Sequence, residues 1–537
     1  PGLLTERERE RMEKEGVTLA PDAEKESYNE QFYLYLALTK ASEQVILTYS
    51  VMTSKGESKR PSYLINRVKQ VFPKLVVEKE EMDTSYEKIM GSDKGKSYLI
   101  SHLADGSYAK DVIWWEIASH YEKKTPGILK DLLRIREKRA GNNSLKKEAA
   151  KRLFGDVLYG SVTRFEQYVQ CPFAFFSHYG LLLNERQQYE ISSLDHGNLF
   201  HQAMEHLSHE LEQRNKNWQD LSEEEAVLLA AECVDAVAER YQGRKYFQSN
   251  RVSFMLKRLK NEVVHSVWAM WHQMQEGDFV QTYTEKGFRG SDKEWESMCI
   301  PFDEDAKICL NGVIDRVDLC SLPGEELIKI IDYKSSDSQD LSLAKVYYGL
   351  QMQLLTYLEA AKEMVEKEHK GKEAVPAAML YYAIKEKNLD WKPESEEEYE
   401  KRVLDSMKCK GYVNEEPEII GHLDKSIVNG GELIPGQKSV VVPVAVDKKG
   451  LLKKNSETLS TKDFETLIAH TKEKMKECGK AILDGKIEAI PYVYEDNDGC
   501  TYCPYGSVCG HESKKDGVRE MKKMSDDEVW EALYGDD

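Results

Sequence analysis

The chain has 537 residues, 41% hydrophobic and 9% aromatic, which fills several cores and excludes global disorder. At the usual ~150 residues per domain, this length accommodates roughly three to four domains. Lys and Arg total 75 against 94 Asp and Glu, a net charge of −19 that excludes a uniformly basic nucleic-acid binder and confines any DNA contact to a local patch.

The N-terminal Pro-Gly-Leu-Leu-Thr-Glu-Arg-Glu has neither an apolar signal core nor an initiator Met, so it reads as the start of a fragment. No apolar run approaches the ~18 residues of a membrane span. Residues 1–30 are charged and helical in pattern. A helix through about residue 42 and a buried strand over 45–51 follow, and 61–140 look mostly helical. Within 123–152, eleven Lys and Arg face three Asp and Glu, a local charge of +8 that leaves −27 elsewhere. DNA binding through such a basic channel should weaken steeply with salt. Gly91-Ser-Asp-Lys-Gly95-Lys96-Ser97 has three residues between its glycines where a phosphate loop needs four, and no strand precedes it. It reads as a surface turn before a helix.

A short aromatic helix is expected within 160–180 and amphipathic helices over about 195–275. The apolar period then shifts from 3.6 toward 2. Strands are expected at 279–289, 296–302, 307–320 and 327–334, a helix at about 343–368, and a strand at 377–385. Residues 386–460 form a charged, mixed insertion, and a last helix over about 461–485 leads to cysteines at 500–509. The tail, 520–537, has seven acids and two lysines and reads as a helical or loose appendage.

Asn311-Gly-Val-Ile-Asp315-Arg-Val-Asp318 and Ile328-Lys-Ile-Ile-Asp332-Tyr-Lys334 flank a turn at Ser321-Leu-Pro-Gly-Glu-Glu326. Symmetrical pairing about that turn sets Asp315 opposite Asp332, with Cβ atoms ~5 Å apart. Lys334 lies two residues beyond Asp332 and shares its face. Facing carboxylates in an apolar sheet repel unless a proton or cation intervenes, and a hard, oxygen-loving ion such as Mg²⁺ resolves the conflict. An edge hairpin whose acids face water is the plain alternative. Glu285, in the preceding strand, reads as a weaker, supporting residue, and His206 and His209 as surface or packing residues.

Gly-x-Ile-Asp followed by Asp-Tyr-Lys resembles the core of the PD-(D/E)xK nucleases, in particular the RecB-like family. Gly197-Asn-Leu-Phe-His201 resembles that family's G-x-x-x-H motif, and Gln353-Leu-Leu-Thr-Tyr357 its Q-x-x-x-Y helix. The resemblance implies an α/β fold: a restriction-endonuclease-like mixed sheet flanked by helices. It implies Mg²⁺ held by His201, Asp315, Asp332 and the Tyr333 carbonyl. Lys334 would position or activate water, and Gln353 and Tyr357 would contact the substrate strand or order the site.

Cys500-Thr-Tyr-Cys503-Pro-Tyr-Gly-Ser-Val-Cys509 places three thiols in one tight loop that needs a fourth ligand, for zinc or for a [4Fe–4S] cluster. His511 is near, but Cys171, in Thr163-Arg-Phe-Glu-Gln-Tyr-Val-Gln-Cys171-Pro, is the better candidate. Its segment resembles the remote first-cysteine helix of iron–sulfur RecB-like nucleases, which implies that Cys171, Cys500, Cys503 and Cys509 ligate a [4Fe–4S] cluster. Such a staple closes a loop of more than three hundred residues and is worth several kcal/mol. Cysteines 233, 299, 309, 320, 409 and 478 lack ligand spacing and read as buried or incidental thiols.

Tyr35-Leu-Ala-Leu-Thr39-Lys40-Ala-Ser-Glu43 resembles the last motif of superfamily 1 helicases. Lys40 replaces the family's Arg and cannot make its bidentate phosphate contact, so no ATPase activity is expected here. A helicase-like end running into an iron–sulfur nuclease resembles the nuclease-bearing second subunits of bacterial AddAB-type helicase–nucleases. Three regions are expected: a helicase-like remnant over 1–155, a nuclease domain over 156–512, and an acidic tail over 513–537. The resemblance implies a cytoplasmic exonuclease or endonuclease, nucleoid-associated when on DNA, acting in recombinational repair of double-strand breaks. It would cut the 5′-ended strand after unwinding by an AddA-like partner, bind single strands and duplex ends, scan for a recombination hotspot, and use no membrane. The rival reading is a catalytically silent module that clamps DNA ends.

Overall fold

The computed structural model describes residues 9, 11–12, 14–16, 23–52, 58–77, 92–105, 111–139, 144–184, 193–242, 250–289, 295–303, 305–334, 340–384, 395–511 and 517–535. The chain forms two compact units, Pro1–Leu133 and Arg134–Asp537.

The first unit holds helices α1 (Ala23–Thr39), α2 (Tyr63–Val71), α3 (Ser92–Asp105) and α4 (Val112–Lys124), and the boundary falls within α5 (Ile128–Arg139). Asp111 starts α4 by accepting the Ile113 N–H at 3.0 Å, and Tyr98 Oη donates to its other oxygen at 2.6 Å. Leu99, Leu103, Trp114, Ala118 and Tyr121 form a small core. Two expectations fail here. Residues 45–51 form no strand and lie exposed: the Lys59 N–H donates to Val51 O at 2.8 Å beside an isolated Met52–Ser58 bridge, and this contact at the segment's end does not extend into a ladder. Ser92–Ser97 is the first part of α3, not a surface turn, while Gly91 lies outside the described residues.

The second unit begins with α6 (Lys147–Phe154), β1 (Val157–Gly160), α7 (Val162–Gln170), the short α8 (Pro172–Phe175) and a π-helical turn, Phe176–Gly180. Three amphipathic helices follow: α9 (Ser193–Gln213), α10 (Glu223–Gln242) and α11 (Asn250–Gln275). Then come β2 (Val280–Gly287), β3 (Met298–Pro301), β4 (Lys307–Leu310), β5 (Val313–Leu322), β6 (Glu325–Lys334), α12 (Leu343–Tyr347), α13 (Gln353–Glu368) and β7 (Glu373–Ala383). The chain continues through α14 (Glu396–Ser406), β8 (Lys410–Asn414), α15 (Pro417–Leu423), β9 (Val428–Asn429), β10 (Glu432–Leu433), β11 (Thr458–Leu459) and α16 (Thr461–Leu483). It closes with β12 (Tyr492–Tyr494), β13 (Asn497–Asp498), α17 (Gly506–Cys509), β14 (Arg519–Glu520) and α18 (Asp526–Tyr534).

Six strands in the order β11-β8-β7-β6-β5-β2 make one mixed sheet. β5 and β6 form the antiparallel hairpin, and α12 and α13 return the chain so that β7 lies parallel to β6. On one face Phe200, Leu207, Val263 and Met270 of α9 and α11 pack on Leu327, Ile331 and Leu380. On the other, Phe165, Leu354, Leu358 and Phe464 of α7, α13 and α16 cover Val317, Ile328 and Ile330. Burial on both faces accounts for the almost unbroken apolar runs of β5 and β6.

The strand expected over 307–320 is two strands in different sheets. β4 lies between β1 and β3 in a second, three-stranded sheet, and the chain changes sheet at Asn311-Gly312. The helix expected over 343–368 breaks into α12 and α13 near Gly349, which takes φ +79°. Residue 385, the expected end of β7, and 386–394 of the insertion lie outside the described residues. Cys299 and Cys309 are not incidental thiols: they face each other across β3 and β4 and are joined as a disulfide. Cys233, Cys320, Cys409 and Cys478 are buried free thiols.

The C-terminal residues are built into this unit. β14 pairs with β12, Val529 of α18 is fully buried in the core, and Tyr348 Oη donates to Lys522 O at 2.9 Å. No helix among the described residues is long and apolar enough to cross a membrane.

Candidate active site

The register of β5 and β6 follows the turn: Arg316 faces Ile331, Val317 faces Ile330 and Leu322 faces Glu325. One step past this ladder Asp315 and Asp332 meet, and the Tyr333 N–H donates to Asp315 Oδ2 at 2.7 Å. On the other side of β5, Thr284 faces Arg316 and Lys286 faces Ile314, which sets Glu285 opposite Asp315. Three carboxylates thus lie in a row across β2, β5 and β6. Glu285 takes φ +45°, a left-handed conformation that is costly for a residue with a Cβ and that concentrates at functional sites.

His201 enters from α9. Its Nδ1 lies 3.0 Å from Glu285 Oε1 and 3.5 Å from Asp315 Oδ1. One potential ligand atom each from His201, Glu285 and Asp315 fall within 4.8 Å of one another, a donor set of imidazole and carboxylate oxygens that suits a divalent ion. Asp332 is buried and its Oδ2 is 2.6 Å from Lys334 Nζ. Lys334 Nζ donates to Gln353 Oε1 at 2.9 Å, and Gln353 Nε2 donates to Tyr357 Oη at 3.0 Å. Gln353 and Tyr357 lie one turn apart at the start of α13, so one face presents both.

Gly312 makes room for this arrangement. A Cβ there would stand 2.7 Å from Phe288 Cζ and 3.2 Å from Tyr357 Cε1. The Tyr333 ring packs edge-on against Phe200 and His201, so its side chain supports the site from below while its peptide joins it.

The electrostatics describe a site short of positive charge. Burial and the facing Asp332 push the Asp315 carboxyl well up, against the pull of His201. Asp332 is also raised by burial, although Lys334 opposes this. Burial disfavours a charged His201, yet the Glu285 hydrogen bond and the charges of Asp315, Glu285 and Asp332 prevail and raise it to about 9. These shifts share one cause, carboxylates crowded together out of water, and a divalent cation held there would relieve it.

His201, Asp315, Asp332, Lys334, Gln353 and Tyr357 thus fall in one neighbourhood, but the potential ligand group is His201, Glu285 and Asp315: Glu285, expected only in support, is in it, and Asp332, expected as a ligand, is paired with Lys334 instead. Sequence reading misses its rank because only the pairing of β2 with β5, distant in sequence, places it opposite Asp315. Glu166 on α7 carries no motif signal at all. Its Oε1 accepts the Met352 N–H at 2.6 Å, at the start of α13. His209 is exposed beside Glu205 and Glu212 and takes no part in the centre.

The four cysteines form a second cluster. Cys171 joins α7 to α8 and is buried against Ala174, Tyr505 and Cys503. Cys500 follows a turn in which Asp498 Oδ1 accepts the Cys500 N–H at 2.8 Å, and the His511 N–H donates to Cys509 Sγ at 3.4 Å. Burial, then the charges of Asp498 and the three other cysteines, pushes the Cys500 thiol up to about 11. Burial raises the Cys171 thiol, while backbone N–H groups of Ala174 and Phe173 pull against it. Their sulfurs do not close to the spacing of a single-ion site, which among the described residues only His201, Glu285 and Asp315 reach; amides aimed at the sulfurs would favour their thiolate forms. Arg519 donates to Ile490 O at 2.9 Å and also to Val169 O, holding the end of α7 beside Cys171.

The PD-(D/E)XK nuclease superfamily matches this chain over residues 160–510. The second (B) component of the ATP-dependent helicase/deoxyribonuclease of Lachnoclostridium phytofermentans is 33% identical over 545 residues, covering 100% of this chain and 46% of its own length. The proteins of the same name from Clostridium perfringens and Alkaliphilus oremlandii are 31% and 28% identical, each over 99% of this chain and 46% of its own. The chain spans about half the length of these curated relatives.

Proposed function

Because this chain belongs to the PD-(D/E)XK nuclease superfamily, we propose that it is a Mg²⁺-dependent deoxyribonuclease centred on Asp315, Asp332 and Lys334. The carrying observation is the row Glu285, Asp315 and Asp332 across three neighbouring strands, with His201 at one end and Lys334 at the other. His201, Asp315, Asp332 and the Tyr333 carbonyl would hold the ion, with Glu285 completing or orienting the set. Bound there, Mg²⁺ would neutralise phosphate charge and lower the pKa of a water molecule.

The chain's own residues do the remaining work. Lys334, fixed between Asp332 and Gln353, offers a cation that orients water or meets charge developing on the phosphate. Gln353, itself bonded to Tyr357, holds that ammonium in place, and both would face the substrate strand. Cys171, Cys500, Cys503 and Cys509 carry a [4Fe–4S] cluster that joins both ends of the nuclease domain. Residues 1–155 are the end of a helicase-like domain without ATPase activity, 156–512 the nuclease, and 513–537 its C-terminal extension. The names of the relatives support a place in a helicase–nuclease complex. In it the chain cuts the 5′-ended single strand after an AddA-like partner unwinds a break, for recombinational repair in the cytoplasm.

The test is cleavage of end-labelled single-stranded DNA by anaerobically purified protein, with Mg²⁺ or with EDTA. Cleavage only with Mg²⁺ is expected. DNA binding without cleavage at any Mg²⁺ concentration would overturn the enzyme reading in favour of an end-clamping module. A visible spectrum of the same sample separates the metals: a broad band near ~400 nm is expected for the cluster, and a colourless sample containing zinc would replace it.

A further inference from the structure

Glu166 lies on α7, five residues before Cys171, and its carboxylate serves a different helix. Its Oε1 accepts the Met352 N–H at 2.6 Å, and the Gln353 N–H is near enough to favour its charged form. Met352 is the N-cap residue of α13, and its side chain makes no capping hydrogen bond. The start of a helix leaves four N–H groups unpaired and carries the positive end of the helix dipole. Glu166 answers both needs from outside: it is the cap of α13, supplied by α7.

The first residue of α13 is Gln353, which holds Lys334 Nζ at 2.9 Å and Tyr357 Oη at 3.0 Å. Glu166 also lies within the electrostatic reach of Lys334 and Asp332. Burial raises its pKa to about 7, against the pull of the two N–H groups and Lys334. A carboxylate whose burial is this costly, at the junction of two helices and beside Lys334, is poorly explained as packing alone.

We propose that Glu166 is a positioning residue: it fixes the start of α13 and, through Gln353, aims Lys334, tying the cysteine-bearing helix to the nuclease centre. The proposal rests on the reading of this centre as a nuclease. It gives α7 two duties, Cys171 just past its C-terminus toward the other cysteines and Glu166 from its middle toward the start of α13.

The experiment compares wild type, Glu166→Ala and Glu166→Gln as full chains purified anaerobically, with a single-stranded oligonucleotide and Mg²⁺. Glu166→Ala should lose about 10- to 100-fold in kcat with KM almost unchanged, as expected when a catalytic group is misaimed by a fraction of an ångström to an ångström. Its visible spectrum per protein should match wild type. Glu166→Gln keeps an acceptor for the α13 N–H groups and should recover most of the lost kcat. If Glu166→Ala does not fold, Glu166→Asp takes its place: it keeps the charge, withdraws the oxygens by one methylene, and should show the same fall in kcat. Wild-type kcat in Glu166→Ala or its substitute, or a loss confined to KM, would overturn the positioning role. A wild-type protein that shows no Mg²⁺-dependent cleavage would instead overturn the nuclease reading.

Discussion

At Asp315 two carboxylate neighbours and little solvent leave the ionised form short of compensation. Glu285 adds to that deficit from the next strand, in a backbone conformation that only a specific demand would retain. If its carboxylate helps hold Mg²⁺, Glu285→Gln should raise the Mg²⁺ concentration for half-maximal cleavage by about 10-fold or more, with the fold unchanged by circular dichroism. An unaltered Mg²⁺ dependence would return Glu285 to a bystander. Asp318, three residues along β5, has the opposite environment. Burial would raise its pKa, but Arg316 and Lys329 outweigh burial: Arg316 Nε donates at 2.7 Å and Lys329 Nζ lies 2.9 Å away, so it titrates below the usual carboxylate range. A lowered folded pKa contributes stability that is complete above the unfolded value of ~3.9 and is lost as pH falls through the folded value. The urea midpoint should therefore fall between about pH 5 and pH 3 more steeply in wild type than in Asp318→Asn. That variant should already be weaker at neutral pH by ~3–5 kcal/mol, having broken a buried pair. Parallel pH curves would contradict this. Asp315, Asp332 and Lys334 were legible because one short turn fixes the hairpin register, and a register is arithmetic on neighbouring residues. Glu285 and Glu166 were not, since each acquires its partner only through contacts distant in sequence.

At the scale of elements, the nuclease centre depends on where strands end and helices begin. Asn311-Gly312 is the point where the chain leaves one sheet for the other, and α13 passes close over it. Gly312→Ala should push Phe288 and Tyr357 aside, cost ~1–3 kcal/mol in urea unfolding, and lower cleavage more than DNA binding. Wild-type stability in that variant would show that the site has slack the geometry denies it. The same break explains why 307–320 reads as one strand: its apolar pattern continues across the glycine while its hydrogen-bond partners change. The disulfide of Cys299 and Cys309 was hidden for the same reason, because it follows from pairing β4 with β3 rather than running β4 into β5. Residues 45–51 show the converse. Their β-branched, apolar sequence is strand-like, but local pattern does not supply a ladder, and they remain exposed.

At the scale of the whole molecule, the nuclease domain is closed by contacts between its far ends. α7 and the 500–511 loop bring Cys171 to Cys503 and Tyr505, while β14 and α18 pack back on the unit. If the four cysteines hold the proposed cluster, Cys171→Ala should bleach its visible band, lower Tm and weaken DNA binding, leaving the Asp315–Asp332 centre intact in whatever fraction stays folded. Loss of the band with wild-type stability would contradict the proposed stapling role. The net charge of −19 does not oppose DNA binding once the +8 of residues 123–152 is set apart, and binding should fall steeply with added salt. The most direct test of the nuclease centre measures cleavage and binding of single-stranded DNA in the same Asp332→Ala preparation, with Mg²⁺ present for cleavage. The expected result is cleavage abolished while DNA binding persists; cleavage by Asp332→Ala at the wild-type rate would contradict the assignment.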